Sequence, residues 1–162
     1  MKIGARRVRV GAALLLVGAL GAAGGAFVAA QSSPTAHREA LAQSTKPKGA
    51  KGRTLGLSKV VIPPGAVLAL HHHQGTQIAR IVAGTLTYTV RDGKVRVRSG
   101  EADSPKFVRF IKAGQTGRIK AGQWIVEQPS DVHMAANNGD EKIVIYLATL
   151  LKTGAPPSTP VN

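Results

Sequence analysis

Five histidines occur in this chain, and three of them stand at spacings suited to holding a metal ion. His71 and His73 are two residues apart, and on an extended strand side chains at i and i+2 leave the same face, so both imidazoles can reach one divalent cation. They sit in a regular frame: Gly65, five residues, His71-Xaa-His73, three residues, Gln77, six residues, Gly84. A second frame runs Gly122, five residues, Gln128-Pro129-Ser130, two residues, His133, three residues, Asn137. A strand carrying His133 beside the first would add a third imidazole. His72 must point away from His71 and His73 and reads as a surface residue, and His37 stands isolated. Cysteine is absent, which excludes disulfides, thiolate metal sites, a catalytic thiol and a lipidated cysteine and leaves nitrogen and oxygen as the available ligand atoms. Residue types alone also admit a plainer reading, with His71 to His73 on an exposed polar strand and His133 as a satisfied core histidine.

The elements that must position these side chains have a period of two. Val67, Ala69, His71 and His73 alternate with Leu68, Leu70 and His72; Leu86, Tyr88 and Val90 alternate with Thr85, Thr87 and Thr89. Val95 and Val97, then Trp124 and Val126, then Ile143, Ile145 and Leu147 repeat the pattern. Arg91-Asp92-Gly93-Lys94 reads as a hairpin turn. Ile111-Lys112-Ala113-Gly114-Gln115 recurs as Ile119-Lys120-Ala121-Gly122-Gln123, two short strands ending in similar turns. Beyond Leu55 no ten-residue stretch has a helical period, so the expected fold is all-β, an antiparallel sandwich or barrel. Trp124 is expected in the core or at the barrel mouth. Glu127 shares parity with Ile125 and is given no role.

With both frames in place the chain resembles the cupin superfamily, whose two motifs run G-(x)5-H-x-H-(x)3-E-(x)6-G and G-(x)5-P-x-G-(x)2-H-(x)3-N. Gly65, His71, His73 and Gly84 match the first, and Gly122, His133 and Asn137 match the second. The resemblance covers residues 54–152 and implies a double-stranded β-helix, or jelly-roll barrel, with a mononuclear divalent metal site held by His71, His73, Gln77 and His133. Three positions depart from the motifs: Gln77 replaces the family's Glu, Gln128 its Pro and Ser130 its Gly. An amide in place of the carboxylate would leave a divalent ion at +2 rather than +1, more weakly held but more polarising. Three imidazoles suit Fe, Mn, Ni or Zn, and spacing does not choose among them. The segment between motifs is long, so Ser99 to Lys120 is expected to add a loop or hairpin at the rim.

The rest of the 162 residues frames this core. Residues 1–30 begin with Lys2, Arg6, Arg7 and Arg9, continue as 21 uncharged residues from Val10 to Ala30, and close on Val28-Ala29-Ala30. This reads as a cleaved signal peptide, hence a periplasmic or secreted product, with an N-terminal membrane anchor as the alternative. Residues 31–53 read as a flexible basic linker and 153–162 as an extended Pro-rich tail. The formal charge is +14, and nine of the Lys and Arg residues lie between Arg91 and Lys120. They suggest contact with an anionic envelope surface, or simply a solvated face; without stacking aromatics beside them, nucleic acid is not expected. The expected function is an oxygenase or lyase acting on a small anionic organic molecule. The alternative is a non-catalytic small-ligand-binding or sensing module of the envelope. A homodimer is compatible with either.

Overall fold

A computed structural model describes residues 33–129 and 131–161; the expected signal peptide lies outside the described residues. Twelve strands follow in order: β1 His37–Ser44, β2 Arg53–Ile62, β3 Val67–His72, β4 Gly75–Ala83, β5 Thr85–Asp92, β6 Lys94–Ser99, β7 Lys106–Lys112, β8 Thr116–Lys120, β9 Gln123–Glu127, β10 Val132–Ala136, β11 Ile143–Lys152 and β12 Thr159–Pro160. They form a seven-stranded sheet, β1-β2-β11-β4-β9-β6-β7, and a five-stranded sheet, β12-β3-β10-β5-β8. Every pairing is antiparallel, and no helix occurs among the described residues. This is the expected double-stranded β-helix.

Alternation explains the core. Ile62, Ile81, Leu86, Val90, Val95, Val97, Ile119, Ile125 and Ile143 turn inward from both sheets and are buried, and this apolar area supplies the main driving force for closing one sheet on the other. Tyr88 is the largest side chain buried among them. Trp124 is only half-buried, and the Arg98 guanidinium lies 5.0 Å from its ring centroid.

The matched motif positions outside the histidines hold the loops. Gly65, in the left-handed region at φ 75°, donates its N–H to the Asn137 carbonyl at 2.9 Å while Asn137 donates its own to Ala66 at 2.9 Å. The Asn137 side chain donates to the carbonyls of Ile62 at 2.9 Å and Glu141 at 2.8 Å. The entrance of β3 is thereby pinned to the exit of β10. At Gly84 the chain accepts a bond from Ala121 and Ile81 accepts one from Gly122, which ties the end of β4 to the start of β9. The repeated Ala-Gly turns close alike: Gln115 Oε1 accepts from the Lys112 N–H at 3.0 Å and Gln123 Oε1 from the Lys120 N–H at 2.9 Å.

Three expectations require correction. Asp92-Gly93 does make a turn, but β5 and β6 do not pair with each other; they pass from the five-stranded to the seven-stranded sheet. The turn is a corner, a distinction that two-fold alternation on either side cannot draw. Within the stretch expected as a flexible linker over 31–53, His37–Ser44 forms β1, paired along β2 from His37↔Val61 to Ser44↔Leu55. An edge strand gains its ladder bonds without burying apolar side chains, so composition gives little sign of it. Residues 153–162 likewise include β12, whose Thr159 and Pro160 pair with His72 and His71. Over Ser99 to Lys120, expected to add a loop or hairpin, β7 folds back on β6 as a hairpin at the edge of the seven-stranded sheet, and β8 forms the edge of the five-stranded sheet.

Candidate metal centre

Register brings the three histidines together. His71 and His133 are direct cross-strand partners on β3 and β10, and His73 follows the end of β3. The rings lie with centroids 4.9 Å apart for His71 and His73, 4.4 Å for His71 and His133, and 5.2 Å for His73 and His133. One nitrogen from each falls within 4.8 Å of the others, and all three side chains are buried. His72 turns to the other face, as alternation requires.

Backbone carbonyls set the tautomers. The Nδ1 of His71 lies 2.6 Å from the Ala69 carbonyl and that of His73 lies 2.7 Å from the Pro157 carbonyl. A carbonyl only accepts, so each Nδ1 carries the hydrogen and each Nε2 keeps its lone pair. This is the arrangement that orients an imidazole toward a metal. Burial lowers the pKa of His73 and of His133, outweighing the neighbouring Glu127, so both rings stay neutral near pH 7. The buried Nδ1 of His133 has no hydrogen-bond partner among the described residues. Converging buried imidazoles fit a divalent ion, and His71, His73 and His133 are the residues that would hold it.

Gln77 joins the cluster, but through its nitrogen. Its amide donates one hydrogen to His73 Nε2 at 2.9 Å and the other to Glu127 Oε2; its Oε1 is buried without a partner among the described residues.

Glu127 is the site residue that sequence reasoning missed. It is 3% exposed, with Oε1 3.3 Å from His133 Nε2 and Oε2 3.6 Å from His73 Nε2. The Tyr88 hydroxyl donates to Oε1 at 2.8 Å, and the Tyr88 ring stacks on His133 at 4.9 Å. Burial would raise the carboxyl's pKa, but the adjoining His133 and His73 and the bonds from Gln77 and Tyr88 hold it below the ordinary glutamate range. Burial and Glu127 together push the Tyr88 hydroxyl well above its usual value, so it remains a donor. The available signal was Glu127's shared parity with the inward Ile125.

These groups line a cavity of about 310 Å³ whose walls include Val60, Ile62, Leu86 and Ile145. Arg38, from β1, is half-buried in the same wall and makes no ion pair among the described residues.

Fold and site together define a class: a double-stranded β-helix with inward histidines carried by two neighbouring strands of one sheet. Residues 58–102 match the family model for the cupin domain. Among solved structures the chain is similar to a cupin 2 domain-containing protein from Halorhodospira halophila, at 12% identity and TM-score 0.52 over 79% of this chain and 71% of that one. It is also similar to the Cnp3 cupin domain of Schizosaccharomyces pombe, at 15% identity and TM-score 0.50 over 73% and 66%. No curated protein matches the chain by sequence. The chain is thus similar to the cupin domain over residues 58–102 and shares the fold of these solved structures.

Proposed function

We propose that this protein is an exported mononuclear metalloprotein that acts, as an oxygenase or lyase, on a small anionic organic molecule bound in the barrel cavity. The observation that carries the reading is the convergence of three buried imidazoles in a largely apolar cavity. A bound divalent ion would supply Lewis acidity there. The chain's own residues supply the rest. Val60, Ile62 and Leu86 exclude water from the ligand's hydrocarbon part, and the cavity suits a small molecule. Arg38 offers a cation to a carboxylate or similar group, strengthened by its partial removal from water. Metal analysis of protein purified without added metal, followed by oxygen-uptake and elimination assays on small carboxylates, tests the proposal. About one ion per chain with turnover on such acids is expected; absence of bound metal after offering Fe, Mn, Ni and Zn ends it.

One observation favours the non-catalytic alternative. Glu127, the carboxylate beside the histidines, is already engaged by Tyr88 and Gln77, which leaves less freedom to shuttle a proton. Ligand binding without turnover would select that reading. For localisation we propose cleavage after Ala30, which gives a product of charge +10 once the four basic residues of 1–30 are removed from +14; N-terminal sequencing of the exported product should start near Gln31.

A further inference from the structure

Resting on the metal reading above, we infer that the carboxylate ligand of this site is Glu127, delivered from β9, with Gln77 on β4 as the residue that positions it.

Gln77 and Glu127 are direct cross-strand partners, and both side chains enter the interior from adjacent strands. Directly opposed residues have Cβ atoms about 5 Å apart, so a carboxylate on either strand reaches nearly the same volume. The first motif expects the acid at position 77; in this chain position 77 carries an amide and its cross-strand partner carries an acid. The acid is therefore present at the site, entering from the neighbouring strand. Its oxygens stand 3.3 and 3.6 Å from the Nε2 atoms of His133 and His73. Neighbouring ligand atoms around an ion with bonds near 2.1 Å lie about 3.0–3.5 Å apart, so this side of the cluster is already close to a coordination edge.

Charge gives a second, independent argument. A buried carboxylate is costly unless a cation compensates it. Among the described residues no Lys or Arg lies within ion-pair distance of Glu127, whose close basic groups are the two imidazoles. Tyr88 and Gln77 contribute hydrogen bonds but no charge. A divalent ion among the histidines supplies the missing cation. Gln77 then holds Glu127 through its N–H, and the lone pair of His73 that now accepts from Gln77 is the one the ion would take.

Co(II) titrations of wild type, Glu127→Gln and the double exchange Gln77→Glu with Glu127→Gln test the assignment, read by calorimetry and by the cobalt d–d absorption. Loss of a ligand should weaken Co(II) binding by more than the about 10–100-fold typical of an outer-shell change, and should alter the cobalt spectrum. The double exchange should recover binding to within about tenfold, because it restores a carboxylate from the partner strand. The wild-type protein gives a readout that needs no variant: Co(II) should shift a carboxylate band in the infrared difference spectrum. An unchanged spectrum and affinity in Glu127→Gln, or no carboxylate shift in wild type that binds Co(II), overturns the inference while leaving the three-histidine reading intact. Wild type that binds no Co(II) overturns both.

Discussion

His71 Nε2 and His73 Nε2 owe their availability to carbonyls that fix their Nδ1 hydrogens, so single residues of the cluster are expected to fail separately. Replacing His71, His73 or His133 with Ala should abolish stoichiometric metal binding, checked by metal analysis after dialysis, whereas His72→Ala should retain it because that ring faces away from the others. Equal metal content across all four variants would dismiss the site. The three histidines and their flanking glycines were legible because strand periodicity and fixed spacing are properties of one segment at a time. Glu127 was not legible as a site residue, since its meaning depends on β9 lying beside β4 with Gln77 opposite, and such register is a relation between distant segments. Parity with Ile125 told which way the side chain points and left open what it meets.

At the scale of elements, the site depends on segments whose sequence signals are weak. The tail supplies both the Pro157 carbonyl that fixes His73 and the pairing of β12 to β3. Truncation after Gly154 should weaken metal binding about 10–100-fold, as loss of an outer-shell partner does, while leaving the core melting cooperatively; unaltered affinity would show that Pro157 does not orient the ring. The Asp92-Gly93 corner is a second case. Gly93 has φ 89°, and a Cβ there would collide with the Asp131 carboxylate. That carboxylate accepts from Gln128 N at 2.7 Å and Lys94 N at 3.4 Å, and so braces the approach to His133. Gly93→Ala is therefore expected to destabilise the fold by about 1–3 kcal/mol in denaturant unfolding, and to lower metal affinity as well. A stability within 0.5 kcal/mol of wild type, taken as about the scatter of neutral surface changes, would refute the close approach. Composition identified 31–53 and 153–162 as poor core formers, which is correct for their side chains. It was uninformative about backbone pairing, because edge ladders draw on N–H and C=O groups that every sequence carries.

Across the whole molecule, one apolar interior joins both sheets, and the site lies between strands of each, so metal binding and folding should be linked. An ion that binds only the folded chain, present at about 100 times its dissociation constant, adds about 2.7 kcal/mol, which for a domain of this size is a rise of roughly 10 °C in Tm. Chelation should reverse that rise, and replenishment should restore it. Acid should act in the same direction. His73 and His133 have folded pKa values below their ordinary value of about 6.5, so as pH falls through that value the unfolded chain takes up protons that the folded chain refuses. Their contribution is intact above about pH 6.5 and is lost as pH falls toward their folded values. Glu127, also held below its ordinary value, extends the loss at lower pH with the same sign. Because protons compete with the ion for the imidazoles, the metal-loaded protein should lose Tm more steeply than the chelated protein between about pH 7 and 5, until the two curves meet. Parallel Tm curves for loaded and chelated protein over that interval would mean that the ion's ligands do not titrate there, and would remove the histidines from its coordination.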